Sequence, residues 1–165
     1  MKRILLPLGL AALCCTAAGA QQAPDSGPRL EVRVDSVTVY LTAEDIAGLP
    51  RDTVTARIHD GPPMTWSGPL VSTVLERAGA SFARLKGAAL ARYLLVVARD
   101  GYRTVYAAGE LDRDLTGRRV ILADRVNGAP LADADGPWRI ISEGDARPAR
   151  WSRQVSALYL LEAEP

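Results

Sequence analysis

The chain has 165 residues, 48% of them hydrophobic and 24% charged, with 20 basic residues against 19 acidic ones. That is the composition of one globular domain with a single core, and a net charge of +1 excludes the basic stripe of a nucleic-acid-binding protein. One histidine, two adjacent cysteines and the lack of a Gly-rich loop with lysine exclude zinc motifs and phosphate cradles.

Lys2 and Arg3 precede an apolar stretch from Ile4 to Ala18, and Ala18-Gly19-Ala20 is a small-x-small cleavage site before Gln21. This predicts a secretory signal peptide over residues 1–20 and a periplasmic or secreted protein. The apolar stretch falls short of the ~20 residues needed to span a bilayer, so no membrane anchor is expected after cleavage. Cys14 and Cys15 both lie inside it, and Leu13 is too large to precede a lipidated cysteine. Cleavage leaves 145 of the 165 residues, with neither thiol nor disulfide. Taking Lys2 and Arg3 from the 20 basic residues leaves 18 against 19 acidic ones, a charge of −1.

Residues 21–29 read as a flexible arm with Pro, Gly and Ser, and residues 30–165 as the domain. Leu30, Val32 and Val34 alternate with polar neighbours, and Val37, Val39 and Leu41 repeat the period, which predicts two short strands or one bent one. Thr42-Ala-Glu-Asp45 is a capping box ahead of a brief helix that stops at Gly48-Leu-Pro50. Val54, Ala56 and Ile58 alternate next, and Asp60-Gly-Pro-Pro63 turns the chain. Pro69 opens the clearest helix, with Leu70, Val71, Val74, Leu75 and Ala78 on one face and Gly79 placed to end it. Tyr93–Ala98 and Tyr102–Ala107 flank Asp100-Gly101 as a hairpin, and Asn127-Gly128 is read as a turn joining Val120–Ala123 to a return segment near Leu131. Trp138–Ile141 and Val155–Leu161 complete seven or eight short strands. With two or three short helices, the expectation is a single α+β domain whose mixed, mostly antiparallel sheet curls on itself.

Several pieces in this order carry a resemblance. They are Thr42-Ala-Glu-Asp-Ile through Leu49-Pro50, Trp66-Ser-Gly-Pro-Leu70 through Arg77-Ala-Gly79, Asp100-Gly-Tyr102, Asn127-Gly128 with Pro130-Leu131, Gly136-Pro-Trp-Arg139, and Arg147 and Arg150 before Trp151. The chain resembles the sulfite-oxidase-like, molybdopterin-binding oxidoreductases over nearly all of its mature length. The resemblance implies that fold, and implies that Arg139, Arg147, Arg150 and Trp151 hold a cofactor's pterin and phosphate. It also implies a cysteine ligand to molybdenum just after the strand Val54–Ile58, where this chain has Arg57, Ile58, His59 and Asp60.

Two readings of the arginine-rich corner stay open. Either the guanidiniums converge near Trp151 on a small anion, or they pair with Glu143, Asp145 and neighbouring carboxylates while Trp151 packs in the core. Asp100, Tyr102, the pairs Asp112/Asp114 and Asp133/Asp135, and His59 read as turn or sheet residues, and Trp66 and Trp138 as core. No catalytic residue is identified, and no metal site is expected of one histidine beside one aspartate. The functional expectation is an exported binding or accessory module without its own molybdenum chemistry. No cofactor is expected, although molybdopterin is implied by the resemblance. The alternative is a molybdopterin-dependent oxidoreductase acting without a protein cysteine ligand.

Overall fold

A computed structural model describes residues 27–163; the signal-peptide reading and both cysteines lie outside them. The first strands form a hairpin of β1 (Arg29–Val34) and β2 (Val37–Thr42), which reverses at Asp35 in the left-handed region (φ +54°). Thr42 then caps α1 (Ala43–Ala47): the Asp45 N–H donates to Thr42 Oγ1 at 3.1 Å and the Thr42 N–H donates to Asp45 Oδ2 at 2.9 Å. This is the predicted capping box, and it turns the chain out of the sheet within one residue.

Strands β3 (Arg51–Ala56) and β4 (Met64–Pro69) pair antiparallel, and α2 (Val71–Glu76) follows, burying Val71, Val74, Leu75 and Ala78 before Gly79 (φ +92°) ends it. Pro69 thus closes a strand, and Leu70, rather than Pro69, caps the helix. After a 3-10 turn, β5 (Arg92–Ala98) and β6 (Arg103–Ala107) form the Asp-Gly hairpin, followed by α3 (Ala108–Leu111) and α4 (Arg113–Thr116). Asp112, between these helices, is buried (4% exposed) and accepts N–H donors from Asp114, Leu115 and Leu85. It is a helix cap and a tether, which corrects its reading as a solvated loop carboxylate.

The remaining strands are β7 (Val120–Ala123), β8 (Arg125–Val126), β9 (Ala129–Pro130), β10 (Arg139–Ser142) and β11 (Val155–Glu162). The Asn127-Gly128 turn joins β8 to β9, while β7 pairs with β10, a correction to the expected hairpin. Asp124 breaks the run after Ala123: its N–H donates to Ser67 O and its carbonyl accepts from the Leu131 N–H. Among the described residues, four α-helices and eleven strands exceed the expected numbers because one-turn helices and two-residue strands are too short to show a period.

The chain is an α+β domain. A five-stranded sheet in the order β2-β1-β11-β5-β6 is antiparallel except for the β1–β11 pair. Opposite it stand β3-β4-β8-β9 and the pair β10-β7, joined where Leu70 bridges Ile121. Alternation along β7 and β10 serves both sides. Val120, Leu122 and Ile140 enter the main core, while Ile121, Ala123 and Ile141 join Val54, Trp66 and Trp151 in a second cluster. Such strands, buried on both faces, read as continuous apolar runs.

Glu143, just past β10, is bound by Arg119 through Nε at 2.8 Å and Nη2 at 2.5 Å. The Arg119 guanidinium holds its carboxyl below the ordinary carboxylate range. With a lowered folded-state pKa, the pair's contribution is present above Glu143's ordinary pKa and is lost as pH falls through the lowered value. The pair is half exposed, so Glu143→Gln is expected to remove only ~0.5–1 kcal/mol at neutral pH. The two proteins should converge in urea stability on acidification; a difference that persists unchanged below the carboxylate range would contradict this.

Candidate functional site

One face of β6 and the turn before it organise the arginine-rich corner. Tyr102, Thr104 and Tyr106 recur at every second residue, and each meets the segment that follows β10. Tyr102 donates to Ala149 O at 2.7 Å, Tyr106 donates to Arg150 O at 2.6 Å, and Thr104 Oγ1 lies 2.8 Å from Ser152 Oγ. Three hydroxyls therefore clip residues 149–152, which overlap a 3-10 turn at Pro148–Arg150. Tyr106 is buried, and burial pushes its phenol pKa up, so it stays a neutral donor. The period-2 spacing of these hydroxyls was the available signal in the sequence; it read as ordinary sheet.

The predicted residues divide into two groups. Arg150 lines neither of the two cavities that Arg139 touches. Its Nε and Nη2 donate to Asp145 at 3.0 and 2.8 Å, its Nη1 and Nη2 donate to Glu110 at 3.2 and 2.8 Å, and its guanidinium lies 4.4 Å from the Tyr106 ring centroid. Trp151 is 4% exposed, and its Nε1 donates to Asp145 Oδ2 at 3.2 Å. These two form a charge-compensated knot with Asp145 and Glu110, and the hydrogen bonds from those carboxylates hold the Arg150 pKa above its ordinary value.

Arg139 and Arg147 come together. Both line a cavity of about 630 Å³ between the turn of Ile58, His59 and Asp60 and the segment Ala146–Ala149. Arg139 lies deep, at 8% exposure, with Nη1 donating to Asp135 Oδ1 at 2.8 Å and its guanidinium 5.3 Å from the Trp66 ring centroid. Its Nε and Trp66 Nε1 are buried donors with no acceptor among the described residues. Burial pulls the Arg139 pKa below its ordinary value, Asp135 opposes this, and Arg153 adds repulsion. A desolvated guanidinium of this kind gains from an added anion.

Arg147 is exposed and has no carboxylate within ion-pair distance among the described residues. His59, an exposed turn residue at φ +51°, stands on the opposite wall. On the far side of Pro148 and Ala149, a smaller cavity of about 260 Å³ also touches Arg139 and adds Arg153, Asp100 and Tyr102. Asp135, expected to be a turn residue, lies four residues before Arg139, across the Pro137 turn, and pairs with it. Glu143, by contrast, serves Arg119. Trp66 and Trp138 are core, each 2% exposed.

No family model matches the chain, and no curated protein matches it. The donor set can still be compared with the implied cofactor. Where the resemblance implies a thiolate, the wall offers Ile58, His59 and Asp60, and no group of three or more His, Cys, Asp or Glu gathers among the described residues. A thiolate-held molybdenum does not fit these residues. The charged side chains lining this cavity are Arg139 and Arg147, with Asp60 on the wall of the turn.

Among the described residues no helix is long and apolar enough to cross a membrane.

Proposed function

We propose that the protein is an exported binding or accessory module of the sulfite-oxidase-like, molybdopterin-binding fold, without molybdenum chemistry of its own, that takes a small oxyanion such as a phosphate, sulfonate or carboxylate. One observation carries this reading: the cavity between His59 and Arg147 has the nearly buried, under-partnered guanidinium of Arg139 at its floor and the unpaired guanidinium of Arg147 on its wall. Asp135 holds Arg139 in place, and a largely buried guanidinium favours an added anion more than the same group does in water, while the exposed Arg147 supplies a second planar donor.

Isothermal titration calorimetry with phosphate, sulfate and a pterin carboxylate tests it. Arg147→Ala is expected to weaken binding by about 1.5–3 kcal/mol, the worth of a charge-assisted hydrogen bond, with an unchanged melting temperature. Arg147→Lys should recover part of the loss, because a point charge cannot reproduce the planar fork. Wild-type protein that binds none of the three at millimolar concentration, or an Arg147→Ala protein that binds as tightly as wild type, would overturn the reading. Near-stoichiometric molybdenum in protein from its native compartment would instead favour the oxidoreductase alternative.

A further inference from the structure

The outer face of the five-stranded sheet is apolar where a solvated antiparallel sheet ordinarily alternates apolar inside with polar outside. The buried side chains of α1, α2 and α3 all enter the main core on the opposite face. On the outer face the strand register aligns side chains in rows. One row is Glu31, Ala157, Val97 and Arg103, and the next is Arg33, Tyr159, Leu95 and Val105. Leu161 and Tyr93 continue the apolar centre. Val105 is 52% exposed, and Tyr93, Leu95, Val97, Tyr159 and Leu161 are all partly accessible. An apolar patch of this breadth marks an interaction surface.

We infer that this face docks against the same face of a second copy of the chain, about a two-fold axis running along the strands between β11 and β5. The charge pattern selects this occupant. From β1 to β6 the first row runs Glu31, Ala157, Val97 and Arg103, with the exposed Tyr40 of β2 beyond Glu31. Rotation about that axis keeps each residue at its height along the strand and exchanges left for right. Glu31 of one copy then faces Arg103 of the other, twice in the dimer, while Ala157 faces Val97, Tyr159 faces Leu95 and Leu161 faces Tyr93. Facing strands remain aligned, as they do in packed sheets.

Arg33 already lies 4.3 Å over the Tyr159 ring, which shields its charge at the patch edge. The four strands that the axis matches, about 4.8 Å apart and about six residues long, span roughly 19 by 20 Å, and β2 with Tyr40 overhangs them. Projecting side chains bring that footprint to the roughly 600 Å² per partner at the low end of specific interfaces. The dimer is therefore one that forms between micromolar and submillimolar protein, and the His59–Arg147 cavity lies off the docked face.

Sedimentation equilibrium of the purified exported protein is expected to show a reversible monomer–dimer transition across that range. The same rotation sets Val105 of one copy against Arg33 of the other, so Val105→Arg, on an exposed edge strand, should abolish it by placing two guanidiniums face to face twice in the dimer, while thermal unfolding stays as in wild type. Glu31→Arg and Arg103→Glu should each raise the dissociation constant by about tenfold, through two lost pairs and two new repulsions. The double exchange, Glu31→Arg with Arg103→Glu, should restore it. A wild-type protein that stays monomeric throughout, a dimer indifferent to Val105→Arg, or charge reversals that the double exchange does not rescue would each overturn the inference.

Discussion

Gly68→Ala is expected to destabilise the protein by about 3 kcal/mol or more, at the upper end of overpacking substitutions. A Cβ at residue 68 would stand 2.0 Å from the carbonyl oxygen of Leu122, 2.7 Å from its carbonyl carbon and 2.8 Å from Ala123 Cα. All three are backbone atoms, so no rotamer change relieves the clash, and β4 must separate from β7. That separation would disturb the Leu70–Ile121 bridge and shift Trp66, which packs in the second cluster beneath Arg139. Chemical denaturation measures the first effect, and anion calorimetry on the surviving folded fraction should show a weaker site as the second. An alanine variant with wild-type stability would mean that β4 and β7 do not approach so closely.

Gly68 also shows why part of the fold could not be read in advance. In Trp66-Ser-Gly-Pro-Leu70, glycine and proline are ordinarily turn and helix-start signals, and they masked the last strand before α2. Glycine is there because a neighbouring backbone leaves no room for a side chain, a fact about a strand more than fifty residues away. The local signals were legible: the Thr42–Asp45 capping box, the apolar face of α2, the Asp100-Gly101 hairpin and the period-2 strands all formed where the residues indicated. What was not legible was partnership at a distance. Asn127-Gly128 announced a hairpin correctly, but pairing β7 with β10 depends on Asp124 breaking the strand. The arginine corner followed the same rule. Of the two readings of that corner, the structure gives Arg150 the pairing with Asp145 and packs Trp151 in the core, and it adds Glu110, a residue far off in the sequence. The Pro148 turn and the Tyr102 clip decided that Arg147 and Arg139 share the other cavity.

Arg150→Ala is expected to cost about 3 kcal/mol, against almost nothing for Arg147→Ala. The substitution would remove four charge-assisted hydrogen bonds and the stacking on Tyr106, and would leave Asp145, 10% exposed, with only the Trp151 Nε1 donor to answer its charge. An uncompensated, largely buried carboxylate costs more than the net worth of the pair, which is why removing one partner is the harsher change. Glu110 would keep one partner, the Ala107 N–H at 2.9 Å, and is exposed enough to be hydrated. Arg150→Lys should therefore recover only part of the loss, since an ammonium cannot reach both carboxylates in the same plane. Removing Asp145 together with Arg150 should cost less than the sum of the single substitutions, with a coupling of about 1.5–3 kcal/mol in a double-mutant cycle. The two arginines thus separate on two axes, Arg150 lowering the melting temperature and Arg147 the anion affinity. The reverse outcome, a stable Arg150→Ala protein that no longer binds phosphate or sulfate, would move the anion site to the Glu110 side of the 148–150 turn and overturn the division drawn here between structural and ligand-facing guanidiniums.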